Sequence, residues 1–179
     1  DIRQAQIDTW DSIQVPGVST YYYLTTKYEL MHYDFKKTLD SVWNLDWDII
    51  FRTSASTYVR KDRLREWVDK NYKPMMYEGV SGGTHVSGVG IIMTRDIADL
   101  VRKGLKNKEH LSEDIAISEV LIKHGIEPTE STFKRLQFNF QEDKILDADY
   151  YRCKSEIKLD GTYGTDVRSE GLDRSYDIK

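Results

Sequence analysis

An acidic pair, Glu113 and Asp114, has the clearest chemical potential in the sequence. Ser112 precedes the pair and an apolar stripe follows it, so the pattern predicts the first turn of a helix that ends at Gly125. The N–H groups and the macrodipole at a helix start favour negative charge by about 0.3–1 kcal/mol. A carboxylate that stays ionised and faces a cleft can accept a proton from a hydroxyl group. An ordinary helix start, where Asp and Glu are common, explains the same pair.

Hydroxyl groups and cations form a second set of candidates. The hydroxyl groups follow an apolar run at 46–51, and ligands of alternating β/α chains bind beyond the carboxyl ends of strands. The cations have the charge to neutralise phosphate groups, although such residues are also common on surfaces. The hydroxyl-bearing residues are Thr53, Ser54 and Ser56, and the cations are Arg52, Arg152 and Lys154.

A glycine-bearing apolar run at 85–93 predicts the central buried strand. Gly88 and Gly90 leave the backbone open to the approach of a ligand. The preceding segment, 73–84, contains three glycines and predicts a loop, which is either a mobile flap or a plain connection. The candidate pocket residues around the start of the strand are Tyr77, His85, Ser87 and Gly88.

Strand and helix patterns alternate along most of the chain, which indicates an α/β architecture around a mainly parallel central sheet. Helical periodicity covers 35–45, 62–68, 94–105 and 112–125. Strand patterns cover 18–24, 46–51, 85–93 and 136–140. We expect this framework to place Asp114 and the turn at 54–56 beside one hollow.

Length and composition limit the class of protein. The 179 residues are enough for one domain, which we expect at 1–148 with a C-terminal extension at 149–179. The only cysteine is Cys153, so no internal disulfide can form, and no apolar run of about 20 residues could span a membrane. The net charge of −4, with both signs dispersed, makes nucleic acid an unlikely main partner. The histidines and the cysteine lack the spacing of a metal site.

Several blocks of residues, in a fixed order, resemble one enzyme family. In chain order the blocks are Arg3, Ala5, Thr9 and Trp10; Lys37 and Thr38; 51–53 with 57–59; Ser87, Gly88, Gly90, Thr94 and Arg95; and 113–115. Together they resemble the inverting glycosyltransferases of the β1,3-galactosyltransferase and fringe type (glycosyltransferase family 31). The resemblance covers roughly residues 1–126.

The resemblance implies a GT-A-like fold, a nucleotide-sugar donor such as a UDP-sugar, and a glycan or other hydroxyl-bearing acceptor. Asp114 matches the catalytic base of the family, and Glu113, in the same block, is the second predicted catalytic residue. The base would deprotonate the acceptor hydroxyl as it attacks the anomeric carbon, and the diphosphate would leave from the opposite face. The implied donor-binding residues are Lys37, Arg52, Thr53, Ser54 and Ser56.

The sequence departs from the family at the three aspartates that hold a divalent ion. Those positions are Ser54, Ala55 and Ser56, which have no carboxylate. Mg²⁺ and Mn²⁺ prefer carboxylates and other oxygen ligands, so the family's cofactor is implied but its usual ligands are missing. We favour an enzyme that uses cations on the diphosphate instead, because the Glu-Asp block is present. The alternative is a catalytically inactive module, derived from a glycosyltransferase, that binds a glycan or a nucleotide.

The ends of the resemblance lead to two further expectations. The chain begins at Asp1 without methionine, so we expect residues upstream. The strand that usually precedes the Arg3 block is absent and the segment 24–35 is short, which indicates either missing residues or a minimal domain. The lone cysteine and the lack of an Asn-x-Ser/Thr sequon favour a cytoplasmic protein of bacterial or viral origin. A third interpretation, transfer to modified nucleic acid, would need a basic face on 102–108.

Overall fold

The computed structural model describes residues 7–8, 10–22, 31–54, 57–106, 111–136 and 148–152. By their contacts these residues fall into two compact units. Unit 1 draws on 1–20, 54–71 and 133–179, and unit 2 draws on 21–53 and 72–132. No helix in the described ranges combines the length and apolar character needed to cross a membrane.

Helices and strands are both present, so the predicted α/β class is confirmed. In chain order the described elements are a 3-10 helix (Trp10–Ser12), α1 (Met31–Val42), β1 (Ile49–Thr53), β2 (Thr57–Val59), α2 (Lys61–Asn71), β3 (Tyr77–Ser81), β4 (Val86–Thr94), α3 (Arg95–Gly104), α4 (Glu113–Ile122), β5 (Thr129–Glu130), β6 (Arg135–Leu136) and β7 (Tyr150–Arg152).

Unit 2 contains a four-stranded mixed sheet in the order β1-β4-β3-β5. Strand β4 is antiparallel to both of its neighbours, and only β3 and β5 are parallel. The prediction of a mainly parallel sheet is therefore wrong for the described residues. The reason is the short connection at 82–85 between β3 and β4, because a connection this short can join only antiparallel strands.

The core of unit 2 forms where three helices bury apolar residues with strands of the sheet. Ile91 and Met93 alternate along β4, which places their side chains on one face. Ile97 and Val101 are four residues apart on α3 and therefore share one face of that helix. The other members of this core are Phe35, Leu39, Tyr77, Val86, Ala98, Leu105, Ala116, Ile117, Val120 and Leu121.

Arg95, at the start of α3, binds the segment that follows α1 through hydrogen bonds and cation–π contacts. Its guanidinium donates to the carbonyl oxygens of Trp43, at 2.5 Å, and Leu45, at 2.9 Å. It also lies 5.1 Å from the ring centroid of Trp43 and 4.9 Å from that of Trp47, within the range of cation–π attraction. These contacts connect the start of α3 to the segment that leads into β1.

Unit 1 contains a three-stranded sheet in the order β2-β7-β6, with helix α2 in the same unit. Phe133 stacks on Tyr150, with ring centroids 5.4 Å apart, and Trp67 of α2 packs 5.7 Å from Phe133. The buried amine of Lys61 pairs with Asp11 at 3.1 Å. The buried part of this unit thus includes an aromatic cluster and the ion pair of Lys61.

Two predicted elements differ from the structure. The segment predicted as a loop at 73–84 contains strand β3, and the strand predicted at 18–24 is not present over residues 18–22. The remainder of that segment, and most of the strand predicted at 136–140, lie outside the described residues. Strand propensity depends on a partner strand, which a single segment does not reveal.

Gly79 allows β3 and β4 to approach each other where their register shifts. A Cβ atom at this position would lie 2.2 Å from the carbonyl oxygen of Gly90 and 2.3 Å from Cγ1 of Val86. The first contact is with backbone, which cannot move aside as a side chain can. Strand β4 therefore keeps its shape because residue 79 has no side chain.

We expect Gly79→Ala to lower the free energy of unfolding by about 1–3 kcal/mol, because the added methyl group must displace β4. Urea unfolding measures the change. Thr129→Ala, at an exposed position on the neighbouring strand β5, is the control and should stay within about 0.5 kcal/mol of the original protein. Equal stability of the two variants would contradict the close approach at Gly79.

Candidate functional site

The candidate site lies where β4 loses regular pairing. Gly88 is beyond the last pair with β1, Thr53 with Gly90, and between the β3 pairs at Val86 and Ile91. Side chains take the place of a neighbouring strand. The carbonyl oxygen of Val89 accepts a hydrogen bond of 2.6 Å from the Thr53 hydroxyl. Buried backbone groups need such partners, so this stretch of β4 depends on the side chains around it.

Arg52 and Glu113 form a buried, two-pronged ion pair. Nε of Arg52 lies 2.7 Å from Oε1 of Glu113, and Nη2 donates to Oε2 at 2.8 Å. The side chains are 8% and 2% exposed. The third guanidinium nitrogen, Nη1, donates to the carbonyl oxygen of Gly88. One cation thus joins β1, β4 and the start of α4.

Asp114 contacts the backbone of the same residue, Gly88, through its other polar group. The Gly88 N–H donates to Oδ2 of Asp114 at 3.0 Å. Oδ1 accepts from the Ser112 hydroxyl at 2.5 Å and from the Ile115 N–H at 3.0 Å. An ionised carboxylate has about four acceptor positions. Hydrogen bonds from described residues fill three of these positions, and no described residue fills the fourth, on Oδ2.

The pKa of Asp114 lies below its ordinary value of 3.8. Burial alone would raise the pKa, but the hydrogen bonds from Ser112, Gly88 and Ile115 outweigh it, with a smaller contribution from the charge of His85. The half-buried carboxylate is therefore ionised at neutral pH. Since the folded pKa is depressed, this ionisation stabilises the fold above pH 3.8 and the contribution is lost as the pH falls through the folded value.

Two of the predicted pocket residues flank this centre. His85 is half-buried in the β3–β4 connection, with Nδ1 3.3 Å from the Thr84 hydroxyl. Tyr77 is buried in the core, and its hydroxyl lies 2.5 Å from that of Ser118. Burial raises the pKa of Tyr77, with hydrogen bonds opposing the rise and the charge of Asp114 adding to it. Ser118 was not predicted as a polar partner because it lies among the apolar residues of α4.

The predicted donor residues are in different places. Thr53 closes β1 in unit 2, and Lys37 is exposed on α1. Ser54 belongs to unit 1, where its hydroxyl lies 3.0 Å from that of Thr57. Ser56, Lys154 and the side chain of Arg152 lie outside the described part of the chain. Their roles toward a donor, and the shared hollow of Asp114 and 54–56, stay predictions.

The residues at 54–56 do not fit the divalent ion that the family resemblance implies. The hydroxyl of Ser54 is neutral and already bonded to Thr57, and Ala55 has no ligand atom. Hard cations bind carboxylates in preference to such groups. Within the described ranges, no three residues of the His, Cys, Asp and Glu types form a group that could hold a metal ion.

The sequence placed Ser87 and Gly88 in the pocket and the structure brings Gly88 to Asp114. The sequence did not indicate that Arg52 pairs with Glu113, because 61 residues separate them. The only signal in the sequence was an arginine that directly follows an apolar strand pattern. No protein-family model matches the chain, and its comparison with curated proteins gave no significant match.

Proposed function

We propose that this protein is an inverting glycosyltransferase that moves a sugar from a nucleotide donor, such as a UDP-sugar, to a hydroxyl acceptor. The observation that carries the proposal is the Asp114 carboxylate, which is ionised and half-buried and has one acceptor position on Oδ2 that no described residue fills. The order of blocks that resembles glycosyltransferase family 31 supports the same reaction.

In this proposal Asp114 accepts the proton of the acceptor hydroxyl as its oxygen attacks the anomeric carbon. The bond to the diphosphate breaks on the opposite face, so the configuration inverts and the nucleoside diphosphate leaves with the bonding electron pair. Gly88 has no side chain beside Oδ2, where a Cβ atom would lie 3.3 Å from that oxygen. No step is assigned to a metal ion, since residues 54–56 lack suitable ligands.

A second function, binding of a glycan or nucleotide without catalysis, is favoured by one observation. The positions that carry three aspartates in the family are Ser54, Ala55 and Ser56, so leaving-group charge must be stabilised by other groups. The exposed Lys37 and the cations Arg152 and Lys154 are the proposed candidates. Without such stabilisation the protein would bind a donor and not turn it over.

A panel of UDP-sugars, each assayed for hydrolysis and transfer with and without EDTA, tests the two functions. The glycosyltransferase proposal expects product with at least one donor and a rate that EDTA does not lower. Binding alone would raise the melting temperature with UDP or a glycan while no product forms. That result would replace the proposed enzyme by the binding module.

The pH dependence of transfer provides a further prediction. Since the pKa of Asp114 is below 3.8, we expect its carboxylate to stay mostly ionised, and so able to accept a proton, as the pH falls from neutral to that value. The acid limb assigned to Asp114 in a profile of kcat/KM should therefore lie below pH 3.8. The measurement is initial rate against pH, with stability checked at each pH. An acid limb near neutral pH would require a different base.

A further inference from the structure

We propose that Arg52 and Glu113 are a positioning pair, which holds the backbone of Gly88 in the orientation that Asp114 requires. This inference deepens the proposed function and rests on it. It also gives Arg52 a role other than that of a diphosphate ligand. Neither member of the pair would touch the substrate, so both would act through Gly88 and Asp114.

The contacts form a closed ring across three elements. Glu113 engages Nε and Nη2 of Arg52, which directs Nη1 to the carbonyl oxygen of Gly88. The N–H of the same glycine donates to Asp114, and Asp114 is joined to Glu113 by a peptide bond. A displacement of Arg52 would therefore move Gly88, and a displacement of Gly88 would alter the bond to Asp114.

The environment of the pair favours a geometric role over a purely stabilising one. A buried ion pair often contributes no more stability than well-packed apolar residues of similar volume, because both charges are desolvated. Its two-pronged geometry instead restricts direction, as a single point charge would not. Gly88 completes the fit, since a Cβ atom there would lie 3.1 Å from Nη1 of Arg52 and 3.3 Å from Oδ2 of Asp114.

The double variant Arg52→Met/Glu113→Leu separates geometry from charge. It removes one positive and one negative charge together, so the net charge near Asp114 does not change. His85, whose charge lowers the pKa of Asp114, and Tyr77, whose pKa the charge of Asp114 raises, stay in place. The Gly88 amide proton bonds directly to Asp114, so its NMR shift against pH reports the titration of that carboxylate.

We expect the midpoint of the Gly88 titration to rise toward 3.8 in the double variant, because the bond from Gly88 that lowers the pKa is weakened. We also expect kcat for sugar transfer to fall by about 10²-fold while KM for the donor changes little. An unchanged titration midpoint, or a full kcat in a variant with a shifted midpoint, would overturn the proposal.

Arg52→Lys supplies a second test, including the case in which the double variant does not fold. Lysine keeps the charge beside Glu113 but cannot engage both the carboxylate and the Gly88 carbonyl with a planar fork. A partial rise of the Gly88 midpoint is expected, and no rise would overturn the positioning role. If the original protein transfers no sugar, the proposed function fails, and the NMR titration alone then supports or overturns the pair's hold on Gly88.

Discussion

Asp114→Asn is expected to lower the rate of sugar transfer by about 10²–10⁴-fold, the contribution of a well-placed general base. The amide is similar in shape to the carboxylate but cannot accept a proton at neutral pH. It can also satisfy only some of the donors at Ser112, Gly88 and Ile115, so we expect a loss of about 1 kcal/mol in the free energy of unfolding. Initial rates under saturating donor, and urea unfolding, measure the two effects separately.

Asp69→Asn is the matched control for this experiment. Asp69 is an exposed carboxylate on α2 in an ion pair with Arg65, so its loss should leave the transfer rate unchanged. The contrast between the two variants assigns the effect to one carboxylate rather than to a general change in charge. Full turnover by folded Asp114→Asn would eliminate Asp114 as the base.

Local pattern was sufficient for the elements that contain the candidate base. Helix α4 begins directly after Ser112, as the cap and the apolar stripe predict, and strand β4 covers 86–94 where the apolar run predicts a strand at 85–93. Each signal is contained within about ten residues. The ionised state of Asp114 was predicted from the same local features. The structure adds the hydrogen bond from Gly88, which also lowers the pKa of Asp114 and which no local pattern reveals.

Strand β3 shows why another part of the fold could not be predicted. Glycine is common in loops, so Gly79, Gly82 and Gly83 made the segment look like a connection. In the structure only the last two lie in a turn, where Gly83 has a φ of +84°. Gly79 is inside a strand because the Gly90 carbonyl needs the space. Because the β3–β4 hairpin was not predicted, the sheet was predicted to be mainly parallel, whereas its strands are mainly antiparallel.

Arg52→Met is expected to lower the free energy of unfolding by about 3–5 kcal/mol, because it leaves the buried carboxylate of Glu113 without its cation. The change also removes the donor to the Gly88 carbonyl, in a stretch of β4 without regular pairing. Urea unfolding at neutral pH measures the loss. Lys103→Met, which breaks an exposed pair with Asp99 in the same unit, should cost no more than about 1 kcal/mol.

The double variant Arg52→Met/Glu113→Leu then shows whether the loss comes from an unpaired charge or from a missing contact. If burial of an unpaired carboxylate dominates, the second substitution should restore most of the stability, since no buried charge remains at that place. If the bond to Gly88 dominates, the double variant should stay as unstable as Arg52→Met. Restored stability together with low transfer activity would separate the two roles of Arg52. It would show that Arg52 neutralises Glu113 for stability and orients Gly88 for the function of Asp114.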